Sequence, residues 1–171
     1  RFEAKTALVL IYTREGRHRD AYNLLGQMTR EYPRNRILVL ERGASAIRAG
    51  LAGEADTILT QGLAAFETDS RRKMPGEHAL WLYKRGLARL NRNHPTEAAV
   101  DFTAAMSLQP QPWVAGRLQT QLGRLADMAG RRTDAIARYR VAQDLARSSN
   151  DPVGLSEADA YLKRPFVMGH R

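Results

Sequence analysis

The chain contains no cysteine, which removes disulfide frameworks, thiolate metal sites and thiol nucleophiles at once. Aromatic residues are sparse, at 7% of 171 positions, too few for a run of base-stacking platforms. No apolar run approaches the roughly 18–20 residues that a membrane-spanning helix requires; the longest is the six residues from Ala7 to Tyr12. Carboxylates are also in short supply, with 18 Asp and Glu against 27 Lys and Arg and a formal charge of +9. Such an excess raises the question of nucleic acid, but the basic residues are dispersed, with only short clusters such as Arg71-Arg72-Lys73 and Arg131-Arg132. Dispersed charge reads as a solvated basic surface.

What is present is an ordinary globular composition, 43% hydrophobic and 26% charged, arranged with an internal period. Gly16 is followed five residues later by Ala21, and Gly50 by Ala55, the two pairs lying 34 residues apart. Leu25 and Leu59 keep the same offset, as do Met28 and Gly62. The stretch from Ala79 to Pro110 carries a third copy, after nine extra residues, with Gly86, Ala98, Phe102 and Ala105. A fourth follows after three more, with Gly123, Gly130, Ala135, Tyr139 and Ala142 in the matching places. Small residues at fixed offsets allow neighbouring helices to approach to about 8–10 Å, and the larger residues between them fill the holes.

The pattern resembles the tetratricopeptide repeat (TPR) family. Leu82, Gly86, Ala98, Phe102, Ala105 and Pro110 match that family's favoured residues, while Arg85, Arg89 and Asn93 depart from them. Val9 replaces a small residue in the first copy, and Glu67 and Arg147 stand where the second and fourth would carry proline. The resemblance covers residues 2–150 and implies an all-α fold, a right-handed superhelix (α-solenoid) of antiparallel helix pairs. The repeats fall at about 2–35, 36–69, 79–112 and 116–149. Helices are predicted at 2–15, 18–31, 36–49, 52–66, 78–92, 95–108, 114–129 and 132–147. Gly16, Gly50 and Gly130 sit where a first helix must stop and a left-handed residue is often needed.

Outside the repeats, residues 68–77 form a polar linker closed by Pro75-Gly76, read as a tolerated insertion, and Trp113 reads as a packing residue at a joint. Asp151-Pro152 starts a further helix at 152–163 whose face is Leu155, Ala158, Tyr161 and Leu162. This helix would cap the array and end at Pro165, with a tail at 165–171 that is loose from Val167 onward. Because Arg1 already lies in a helical pattern, the chain is expected to be a piece of a longer protein, cytoplasmic or periplasmic.

Catalytic signatures are missing. None of His18, His78, His94 and His170 pairs at i, i+4, and no His-Glu-x-x-His segment occurs. The carboxylate neighbours Glu54 and Asp56, like Glu157 and Asp159, are two apart and point to different helix faces. The expectation is therefore no catalytic residue, metal or cofactor within this segment.

The TPR resemblance implies a concave groove lined by the first helix of each pair. Carried over, its candidate residues are Leu40, Ala44, Ile47 and Arg48, then Tyr83, Lys84, Leu87, Leu90 and Asn91. Arg117, Gln121 and Arg124 continue it, with Asp127 at the next such position, so that the middle is apolar and the C-terminal end basic. This suits a protein or peptide partner with apolar anchors and an acidic end. Thr6 and Leu10 stand where some TPR proteins place the Lys and Asn that clamp a terminal carboxylate, so that clamp is not expected. A second reading is the C-terminal docking portion of a larger enzyme, as some bacterial membrane-associated zinc peptidases resemble this arrangement. A nucleic-acid-binding helical repeat ranks third, and end repeats that stack on copies of themselves would make a homodimer.

Overall fold

The computed structural model describes residues 1–169; His170 and Arg171, the end of the expected tail, lie outside the described residues. Within them the chain is all-helical, with no strand. The helices are α1 (Phe2–Arg14), α2 (His18–Glu31), α3 (Arg36–Arg48), α4 (Ala52–Thr68), α5 (Glu77–Asn91), α6 (Pro95–Ser107), α7 (Pro112–Met128), α8 (Arg132–Ser148) and α9 (Pro152–Lys163). They begin and end within two residues of the predicted bounds.

The chain divides into two compact units. The first holds Arg1–Arg72 with Lys84–Ala98, and the second holds Lys73–Tyr83 with the residues from Ala99 onward, so α5 and α6 each contribute to both. In the first unit α1 packs on α2, α2 on α3 and α3 on α4; in the second α7 packs on α8, and α9 packs on both.

One turn is used five times. At Gly16, Gly50, Asn93, Gly130 and Asn150 the backbone is left-handed, with φ of 72°, 75°, 62°, 72° and 53°. The next residue then donates its N–H to the carbonyl five residues back: Arg17 to Tyr12, Leu51 to Ala46, His94 to Arg89, Arg131 to Ala126 and Asp151 to Ala146, all at 2.8–2.9 Å. This closes the preceding helix. The same residue's carbonyl accepts the first bond of the following helix, as Arg131 does from Ala135 at 3.0 Å. Asn93, which departs from the expected glycine, takes the same conformation because its short polar side chain tolerates it.

Between the helices, small residues meet large ones. Ala21, Ala55, Ala98 and Ala135 are fully buried. Gly43 lies so close to Leu59, and Gly123 to Tyr139, that a Cβ on either glycine would stand 2.5 Å from the partner side chain. In the first copy Val9 packs instead on a cluster of Leu25, Met28 and Leu38. Tyr161 and Leu162 of α9 cover Ala126, Ala135 and Tyr139.

The linker at 69–76 is held by hydrogen bonds at both of its ends. Asp69 accepts from the backbone N–H of Arg71 at 2.9 Å and from the Arg36 guanidinium at 3.2 Å. Arg71 donates to the Arg34 carbonyl at 2.6 Å, and Gln111 to the Pro75 carbonyl at 3.0 Å. The Arg71 guanidinium, followed by its N–H, holds the Asp69 carboxyl well below the usual carboxylate range.

Candidate functional site

The twelve groove residues divide sharply by burial. Leu40, Ala44, Tyr83, Leu90 and Gln121 are buried, so they hold helices together and present little surface. Tyr83, 4% exposed, has its ring 6.4 Å from that of Phe102, and desolvation pushes its hydroxyl pKa up. Ile47, Lys84, Leu87, Arg117 and Arg124 are half-buried, and Arg48 and Asn91 are exposed. Of the twelve, the first unit therefore presents Ile47, Arg48, Lys84, Leu87 and Asn91 to an incoming group.

The C-terminal end of the expected groove is not a row of free cations. Arg117 makes a paired contact with Asp151, Nε to Oδ2 at 2.6 Å and a terminal nitrogen to Oδ1 at 2.7 Å, with Glu157 at 4.0 Å. The hydrogen bonds from Arg117 hold the Asp151 carboxyl below its ordinary value. The Gly154 N–H adds to this at 3.0 Å. Arg124 donates to the Gln121 side-chain oxygen at 2.7 Å. An acidic partner end would have to displace Asp151 to use Arg117.

Beyond α9 the tail that begins at residue 165 is docked through Phe166. The Phe166 N–H donates to Oδ2 of Asp127 at 2.8 Å. Its ring lies 4.0 Å from the Arg124 guanidinium carbon and 5.5 Å from the Tyr161 ring, edge to face. Asp127, whose side chain is 1% exposed, also accepts from the Tyr139 hydroxyl at 2.8 Å and from Arg132 at 3.0 and 3.1 Å. Arg132 in turn donates to the last carbonyls of α9, Tyr161 at 2.8 Å and Leu162 at 2.9 Å. Phe166 was missed because an aromatic residue after a helix-ending Pro165 has no periodicity to read.

A shallow depression of about 370 Å³ lies elsewhere in the second unit, lined by Gln119, Ala126, Arg131, Asp134, Ala137, Arg138 and Val141. Arg138 bonds Gln119 across it at 3.2 Å. Trp113, read as a joint residue, keeps 38% of its surface exposed. On α1, Ala4, Ala7, Leu8 and Ile11 recur at i, i+3, i+4 and i+7 on an exposed face, and no residue of this helix is buried. No grouping of His, Asp and Glu suited to a metal ion occurs among the described residues, nor any helix long and apolar enough to cross a membrane.

Comparison of the sequence with protein-family models and with curated proteins returns no match.

Proposed function

We propose that this chain is a TPR-type binding module that receives a segment of a protein partner on the first helices of its repeats. The observation that carries the reading is the recurrence of one left-handed turn at Gly16, Gly50, Asn93 and Gly130, at the offsets of the sequence repeat. A chain built from one repeated hairpin uses its alanines and glycines for stacking. What remains for recognition is the side chains that stacking does not consume, chiefly Ile47, Arg48, Leu87 and Asn91. The chemistry they offer is apolar anchoring by Ile47 and Leu87 together with a cation, Arg48, and an amide, Asn91.

The test is a comparison of partner capture by the wild type and by an Arg48→Glu, Leu87→Ala double variant. We expect capture to be lost while the helical circular dichroism signal is kept. Equal capture by both proteins would overturn the assignment of this surface.

The alternative is a docking portion of a larger enzyme, for which the exposed apolar stripe of α1 offers a face that a further element could cover. A His-Glu-x-x-His helix in the full-length sequence would support it, and a further helical repeat there would remove it.

A further inference from the structure

We propose that Arg124, Asp127 and Tyr161 form a binding site for an extended proline-aromatic segment of a protein partner, which Pro165-Phe166 of this chain fills in the partner's absence. The inference deepens the binding-module reading and rests on it. It names a second place on the molecule and the chemistry that this place takes.

The docked tail displays the recognition chemistry. Asp127 is a buried carboxylate with room for about four donors. One terminal nitrogen of Arg132, shared between both oxygens, and the Tyr139 hydroxyl reach it from within the helices, while Phe166 brings a third donor through its backbone N–H. A main-chain donor can come from any extended segment, so this contact fixes the path of a ligand and leaves its identity open. Identity is read by the ring. Arg124 lies over one face of Phe166 and Tyr161 meets it edge to face, an arrangement that favours an aromatic side chain. One terminal nitrogen of Arg124 is taken by Gln121, while its Nε is buried without an acceptor among the described residues, so the rings supply much of what faces the guanidinium. Proline before the aromatic has no N–H to leave unbonded and keeps the preceding residue extended; Arg164 has φ −139° and ψ 132°.

The tail is held lightly enough to exchange. Arg164 and Pro165 are exposed and Val167 is 78% exposed. Among the described residues its attachment runs through the Phe166 backbone hydrogen bond and the Phe166 ring. A tethered segment nevertheless has a high effective concentration, so a competing segment needs either more contacts or removal of Phe166.

The experiment uses the whole chain carrying Phe166→Ala and a fluorescein-labelled peptide of residues 162–169, read by fluorescence anisotropy. The peptide should bind this variant about tenfold more tightly than the wild type, since the tethered competitor is gone. Adding Arg124→Ala should weaken that binding about fivefold or more, as should replacing the peptide's phenylalanine by alanine. Circular dichroism of each variant checks that α7–α9 are intact. Equal or absent binding to the wild type and Phe166→Ala proteins would overturn the proposal. So would a wild-type dimer that Phe166→Ala abolishes, which would assign the site to the tail of a second copy. Loss of peptide binding with unchanged dependence of partner capture on Arg48 and Leu87 would refute this inference and leave the binding-module reading standing.

Discussion

A methyl group on Gly123 would stand 2.5 Å from Cε1 of Tyr139, so α7 and α8 approach each other only because that position carries no side chain. The Tyr139 ring is fully buried, and its hydroxyl is committed to Asp127. It cannot swing aside without leaving that bond. Gly123→Ala is therefore expected to destabilise the protein by about 1–3 kcal/mol through over-packing, despite the gain in helix propensity. Chemical denaturation followed by circular dichroism measures it. A stabilised variant would show that the ring has room to move.

Acid should loosen the α7–α9 contact. The Asp151 carboxyl is held below its ordinary value by Arg117 first and by the Gly154 N–H in addition. A carboxylate whose folded pKa is depressed contributes stability that is present above its unfolded value, about 3.9, and lost as pH falls through the folded one. Unfolding free energy is thus expected to fall below about pH 4. Asp151→Asn should flatten part of that slope while keeping the helix-capping acceptor, since asparagine caps about as well as aspartate. Denaturation series at several pH values would decide it, and identical slopes for the two proteins would remove the ion pair from the account.

The α1 stripe is expected to cause weak self-association. Leu8 and Ile11 are 36% and 48% exposed, whereas Leu38, the counterpart of Ala4 one period later, is buried with Leu25 and Met28. An apolar helix face in water gains by stacking on a copy of itself. Sedimentation velocity should show a coefficient that rises with concentration, and Leu8→Glu with Ile11→Glu should abolish the rise without loss of helix. A concentration-independent wild type would sink this expectation.

The helix bounds were legible because they depend on local events. Apolar periodicity, a left-handed residue and a proline act within one or two turns of chain, and Gly16, Gly50 and Gly130 carry that signal in their identity. At Asn93 and Asn150 the same turn is made by a residue whose identity obscures it. The surface was much less legible. Tyr83, Leu90 and Gln121 looked free because the repeat places them on a first helix, yet whether such a face is covered depends on neighbours distant in sequence. Arg117 looked like a free cation because Asp151, 34 residues on, was not visible as its partner.

By itself, then, the sequence determined the all-helical class, the period of the array and where each helix starts and stops, since these follow from short-range backbone and side-chain preferences. Only the tertiary structure decided that Arg117 is neutralised, that five of the twelve groove residues are core, and that Phe166 docks on Asp127 and Arg124. Those outcomes are set by burial and charge pairing between residues on different helices, 34 positions apart for Arg117 and Asp151 and 39 for Asp127 and Phe166, for which no local pattern in the chain is a sufficient cause.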